Sequence, residues 1–212
     1  MSDPFRLAEL LCARICHDLS GPVGSLMGVI ELAFEESASE SESLAVAGQA
    51  ATVLRARLEL LRAAWAGELG TLELGEIKRL TKGIPNGTRT MLDTTGLSAT
   101  VVFPAAQGQL ILNALLLAGE SLPGGGSIAI SGDPDQDLMV TIAGPRAAWP
   151  AAFVACLTNE DAAWAALTSA RTVQGPMMAL IARKLGLDVS LLMPIGQNDG
   201  PAPLLLRVGP EG

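Results

Sequence analysis

Two apolar stripes confined to the first third of the chain limit its fold more than any other feature. In the first, Leu11, Ile15, Leu19, Pro22, Leu26, Ile30 and Ala33 are separated by steps of three or four. At about 3.6 residues per turn such positions draw one line down a helix. Ser2-Asp3-Pro4 supplies a start, because Asp3 can accept from free backbone N–H groups and Pro4 at the first helical position loses no needed bond. The expected helix runs to about Glu36.

The run Ser37-Ala38-Ser39-Glu40-Ser41-Glu42 interrupts the stripe with residues that favour turns and caps. A second stripe follows at Leu44, Ala47, Ala51, Leu54, Leu58, Leu61 and Trp65, with Arg55, Arg57, Glu59 and Arg62 off its line. Two helices alone cannot cover both sides of such stripes. A second copy of the hairpin would cover them, so a homodimer through residues 4–66, built as a four-helix bundle, is expected.

From Gly67 to Gly75 the composition turns to Gly, Thr and Glu and the heptad-like pattern ends. This marks a boundary between a helical hairpin, 1–67, and a second domain, 68–212. Downstream the pattern predicts helices at Glu76–Gly83, Pro104–Leu122, Ala147–Leu157, Asp161–Leu167 and Gly175–Leu185. Strands are expected at Ala99–Phe103, Ser127–Ser131, Leu138–Ala143, Asp188–Met193 and Pro203–Val208. Helices on one face of a mostly antiparallel sheet make an α+β sandwich, so the fold class is a helical hairpin followed by that sandwich.

Composition narrows the function. With 49% apolar and 17% charged residues, the 212-residue chain can bury a core. A net charge of −8 with scattered Lys and Arg offers no footprint for nucleic acid or anionic lipid. No leader pattern and no apolar run of membrane-spanning length is present. Three cysteines do not make a disulfide framework. A soluble cytoplasmic protein is expected.

The only histidine is His17, within Arg14-Ile15-Cys16-His17-Asp18-Leu19-Ser20-Gly21-Pro22. On a helical projection it lies about 160° from Ile15 and Leu19, which points it into solvent. Arg14, Ser20, Gly21, Gly24, Ser25 and Gly28 project as its neighbours on the outer face. Ser and Gly weaken a helix by up to about 1 kcal/mol each relative to Ala, so their presence needs a compensating use. Small side chains let another protein approach the ring, as in-line phosphoryl transfer between proteins requires. The imidazole can be the nucleophile, Asp18 can hold its tautomer, and Arg14 can offset the charge of a phosphorylated ring. The plainer reading is an ordinary exposed histidine. A zinc site with Cys12 and Cys16 lacks a fourth ligand, and the two cysteines project toward the packed side.

The stretch His17-Asp18-Leu19-Ser20-Gly21-Pro22 resembles the H-box of sensor histidine kinases, and the order hairpin, linker, sandwich resembles their core. The second half departs from that pattern. Ile111-Leu112-Asn113-Ala114-Leu115-Leu116-Leu117-Ala118 is similar to the N-box, with Leu117 where the Mg²⁺-binding asparagine would stand. Val140-Thr141-Ile142-Ala143-Gly144-Pro145-Arg146 is similar to the adenine box, with Ile142 in place of its aspartate. Gln174-Gly175-Pro176-Met177-Met178 stands where the glycine-rich phosphate loop would be.

A kinase-like layout that keeps the histidine but not the nucleotide-binding residues resembles the ChpT-type histidine phosphotransferases of alphaproteobacterial phosphorelays. Ala13-Arg14-Ile15-Cys16-His17-Asp18, Leu122-Pro123-Gly124-Gly125-Gly126, Ala143-Gly144-Pro145-Arg146-Ala147 and Gln174-Gly175-Pro176 carry that likeness. The resemblance implies a degenerate ATP-binding domain, no bound cofactor, and a dimer that takes phosphate from the receiver domain of a hybrid kinase. Response regulators of the CtrA and CpdR kind would be its acceptors, and Mg²⁺ would sit on the receiver. Gly21 stands where kinases often carry Thr or Asn for phosphatase work. Leu26, Met27 and Ile30 are candidates for docking or core, and Arg171 and Arg183 flank the altered phosphate loop. An ATP-dependent kinase and a non-catalytic dimeric module remain as alternatives.

Overall fold

The structure, a computed structural model, describes residues 3–34, 40–66, 70–85, 89–192 and 200–208. Two long helices, α1 (Pro4–Phe34) and α2 (Glu40–Trp65), form the hairpin. The expected helix end near Glu36, residues Ser37 to Ser39 of the turn, Gly67 to Leu69 of the boundary and Met193 of the last-but-one strand lie outside the described residues. The start of α1 is capped as its sequence suggests, with the Arg6 amide donating to Asp3 Oδ1 at 3.0 Å. Pro22 lies inside α1 and has no amide to give the carbonyl of Asp18 four residues back.

The remaining elements are β1 (Leu72–Glu73), α3 (Leu74–Leu80), a 3₁₀ turn (Thr81–Gly83), β2 (Thr90–Gly96), β3 (Val102–Phe103), α4 (Ala105–Glu120), β4 (Gly126–Gly132) and β5 (Asp137–Ala143). They continue with α5 (Phe153–Thr158), α6 (Glu160–Ala165), α7 (Gln174–Lys184), β6 (Leu187–Leu191) and β7 (Leu204–Val208). Five strands form one sheet in the order β2-β4-β5-β7-β6, parallel at β2-β4 and antiparallel elsewhere. Strand β2 was not expected. The predicted strand Ala99–Phe103 shrinks to β3, a two-residue partner of β1. The helix expected from Ala147 begins only at Phe153.

Alternation along the strands places Ile128, Ile130, Leu138, Val140, Ile142, Val189, Leu204 and Leu206 in one buried layer against α4. Helix α4 is apolar on nearly every side and every residue from Leu110 to Gly119 is buried, as expected of a helix enclosed by other elements. The end of α2 is built into this core, with Leu60, Leu61 and Ala64 in the same cluster as Leu115 and Leu116. The beginning of α1 is fastened too: Leu7, Leu10 and Leu11 pack with Trp164, Leu167 and Val173. From Val23 onward, by contrast, α1 exposes Val23, Met27, Ile30 and Leu32. The hairpin therefore has one end embedded in the second domain and one end projecting from it.

A buried amide clasps the two parts. Asn113 is fully buried, and its Nδ2 donates to the Ala64 carbonyl at 2.9 Å, one of the acceptors left without an intrahelical partner at the end of α2. Gln109 Nε2 donates to the same oxygen at 3.2 Å, and Gln174 Nε2 donates to Asn113 Oδ1 at 3.1 Å. Replacing Asn113 by Ala would remove two buried hydrogen bonds and leave a void, although Gln109 still reaches the Ala64 carbonyl and Gln174 Nε2 still donates to the main-chain carbonyl of residue 113 at 3.1 Å. Urea unfolding of Asn113→Ala is expected to show a loss of about 2–4 kcal/mol with an unchanged denaturant slope.

Candidate functional site

His17 lies on α1 at the point where the helix leaves the second domain. Its side chain is 61% exposed, and Nδ1 is 3.3 Å from Asp18 Oδ1. A carboxylate can only accept, so this bond requires the proton on Nδ1 and leaves the Nε2 lone pair for an incoming group. The neighbouring Asp18 is largely buried. Its second oxygen, Oδ2, accepts from Arg14 Nε at 2.9 Å.

Arg14 overturns one expectation. Projection on a lone helix put it on the outer face with His17, ready to meet a phosphoryl group, whereas it is 8% exposed. Its Nη2 donates to Glu120 Oε1 at 2.6 Å, and its Nη1 to the Ala170 carbonyl at 3.4 Å. A third side of α1, facing the end of α4 and the 168–171 segment, is covered by the second domain. A helical projection contains no information about that cover. One guanidinium thus bridges a carboxylate beside the histidine and a carboxylate 106 residues away.

The charges around it are not equally comfortable. Burial works against the Arg14 cation, but Glu120 and Asp18 outweigh it and its pKa is raised. Glu120 shares that cation with Asp18 and lies deep, so burial dominates and pushes its pKa up to about 7. Arg57 of α2, expected off the seam, turns toward the same group. Burial lowers its pKa, Asp18 and Glu120 pull the other way, and Arg14 repels it. Its Nη1 is buried without a hydrogen-bond partner.

The small residues leave the helix bare beside the ring. Ser20 Oγ donates to the Cys16 carbonyl at 2.6 Å and Ser25 Oγ to the Gly21 carbonyl at 3.1 Å, so both hydroxyls are turned onto their own helix. A Cβ added at Gly21 or Gly24 would meet nothing within 4 Å. Cys12 and Cys16, expected toward the packed side, are exposed, because each stands one residue past the stripe and so about 100° round the helix. Among the described residues no group of three or more His, Cys, Asp and Glu side chains is placed to hold a metal. Of the candidates for docking or core, Ile30 is 40% exposed, Met27 is exposed, and Leu26 is half-buried.

The altered nucleotide positions are filled with core. Leu117 is fully buried and Ile142 is 4% exposed, in one cluster with Phe153. At Gly175 an added Cβ would lie 3.4 Å from Phe153 Cδ2 and 3.9 Å from Leu117 Cδ1. At these positions the side chains present aliphatic and aromatic carbon and no oxygen that could ligate Mg²⁺. Of the flanking arginines, Arg183 donates to the Cys156 and Leu157 carbonyls at 2.9 and 2.7 Å, while Arg171 is exposed.

Glu120, Arg57 and the Ala170 carbonyl were not foreseen. One signal was present for Glu120: it is the only charged residue of α4 and stands in the last turn, where the helix dipole disfavours an anion. An acid there implies a cation from elsewhere.

A chain with an exposed histidine on a helical hairpin, set on an α+β sandwich of this topology, has the fold of a bacterial phosphotransferase. A solved structure described as a bacterial phosphotransferase superposes with a TM-score of 0.71, covering 97% of each chain at 22% identity. A family profile for the histidine phosphotransferase C-terminal domain matches residues 74–194. The chain belongs to the histidine phosphotransferase family. It is similar to the protein phosphotransferase ChpT of Brucella abortus (strain 2308), with 29% identity over 191 residues, spanning 87% of this chain and 89% of that one. No helix among the described residues is long and apolar enough to cross a membrane.

The raised Glu120 pKa has a stability consequence. The folded carboxyl keeps its proton to about pH 7, while an unfolded one releases it near 4.5. The folded state then binds more protons between these values, and stability falls as pH rises through that window. Denaturation from about pH 5 to 7.5 is expected to show a decline on the order of 2–3 kcal/mol from this group. Glu120→Gln should flatten that decline, and Asn113→Ala should leave it intact.

Proposed function

We propose that this chain is a phosphorelay carrier that accepts a phosphoryl group on His17 from a receiver-domain aspartate and passes it to the aspartates of response regulators. The observation that carries the reading is the ring of His17, exposed on a bare helix face and held through Nδ1 by Asp18. In the accepting step the Nε2 lone pair forms the N–P bond while the P–O bond of the aspartyl phosphate breaks. The electron pair stays with the receiver's carboxylate, and the Nδ1 proton remains shared with Asp18. Ser20, Gly21, Gly24 and Ser25 are the docking strip, and the receiver brings the Mg²⁺ that shields the phosphoryl charge. Arg14 serves from behind, by holding Asp18, instead of meeting the phosphoryl group.

The donor would be the receiver of a hybrid kinase and the acceptors regulators of the CtrA and CpdR kind. The carrier draws nothing from ATP on this reading, since Leu117, Ile142 and Pro176 stand where a nucleotide needs oxygen ligands and an amide donor. The exposed side chains of the projecting hairpin, among them Val23, Met27, Ile30, Leu44, Val53 and Leu58, support pairing with a second copy as a four-helix bundle.

Incubation with a radiolabelled phosphorylated receiver domain should move label to the chain, and His17→Ala should reduce the label to background. Undiminished labelling of His17→Ala would overturn the assignment, and labelling from ATP alone would favour an autokinase. The paired state is tested separately. Met27→Glu combined with Leu58→Glu should halve the molecular mass measured by light scattering, while a mass unchanged from the wild-type chain would contradict pairing through this face.

A further inference from the structure

We propose that Glu120 is a positioning residue for His17: by holding Nη2 of Arg14 it keeps Asp18 Oδ1 free to fix the imidazole with Nε2 outward. The inference rests on His17 being the phosphoryl carrier. An arginine left alone with a carboxylate prefers a two-point contact, offering Nε and one Nη to both oxygens. Arg14 does not do this with Asp18. Only Nε reaches Asp18, at Oδ2, and Nη2 is drawn off to Glu120 Oε1 at 2.6 Å. Were Nη2 to turn to Asp18, it would claim Oδ1, the atom now 3.3 Å from His17 Nδ1. Asp18 would then be spent on Arg14, and the ring would lose the acceptor that selects its tautomer.

The rest of the cluster fits this division. The Ala170 carbonyl takes Nη1, so all three nitrogens of Arg14 have separate acceptors from α1, α4 and the segment before α7. Arg57 supplies a second cation opposite the two carboxylates, facing Asp18 and Glu120 from α2. Two positive and two negative side chains therefore sit together, and the geometry of the reacting ring depends on a residue of the second domain.

A single histidine makes the test direct, because every histidine signal in the spectrum of a ¹⁵N-histidine-labelled chain is His17. The ring nitrogen shifts of the full-length chain, in alkaline buffer where the ring is neutral, report which nitrogen carries the proton. Phosphorylation by phosphoramidate supplies a second readout that needs no partner protein: Nε2 forms the new N–P bond, the P–N bond of phosphoramidate breaks, and ammonia leaves. The wild-type chain should show mainly the Nδ1–H tautomer. Glu120→Ala should move the balance toward Nε2–H and slow phosphorylation about tenfold or more. Glu120→Gln, whose amide oxygen still accepts from Nη2, should stay within about threefold of wild type.

Glu120→Ala leaves an excess buried cation and can unfold, so Glu120→Ala with Arg57→Met provides a charge-balanced variant with the same expected tautomer change. Wild-type tautomer and rate in the folded alanine variants would overturn the inference, as would Glu120→Gln being as slow as Glu120→Ala. His17→Ala separates the two levels. If it still takes up phosphorus the carrier assignment falls, whereas if it is inert while Glu120 variants behave as wild type only the positioning role falls.

Discussion

The structure turns on one guanidinium shared between two carboxylates. Arg14 stands three residues before the histidine, holds the aspartate that follows it, and is itself held by the end of α4. An exposed arginine on a free helix would contribute little, because water screens it. Enclosed between the hairpin and the sandwich, it is costly to bury and costlier to strand, so its three acceptors constrain one another. Arg57, packed into the same space with one nitrogen unpartnered, raises the electrostatic stakes. The joint between the domains and the chemical environment of the ring are therefore the same set of atoms.

The second domain serves this joint in a way that its outline would not suggest. Leu117, Ile142 and Phe153 belong to one continuous core. Asn113, left behind in an apolar helix, clasps the end of α2 and receives Gln174 from the first turn of α7. Buried polar side chains thus fasten three helices to one another. The outcome is a packed base from which the hairpin projects, with the histidine at the point of emergence.

Much of this was legible in the chain, and the failures have physical causes. The stripes of α1 and α2 are readable because their period repeats over many turns, the strands β4 and β5 because Ile128, Ile130, Leu138, Val140 and Ile142 recur at every second position, and β7 because Leu204-Leu205-Leu206 is a short apolar run. Strand β2, Thr90–Gly96, is hard to read because it is an edge strand whose inward positions Thr90, Leu92 and Thr94 carry a single aliphatic side chain. Asp93 there also bonds Thr95 in the manner of a turn. His17 and Asp18 could be picked out from spacing. Arg14 was read onto the wrong face because its cover comes from Glu120 and Ala170, more than a hundred residues away. A periodic pattern reports which side of a helix is buried by its nearest partner and is silent about a second one.

On the proposed reading, every feature serves a single nitrogen atom: Asp18 turns it outward, Arg14 and Glu120 keep Asp18 in place, and the small residues clear the approach. The most direct measurement is ³¹P NMR of the phosphorylated chain carrying ¹⁵N-labelled histidine. The account predicts one acid-labile phosphoryl group per chain, with phosphorus coupled to Nε2 of His17. Phosphorus on Nδ1, or on any residue other than His17, would contradict it.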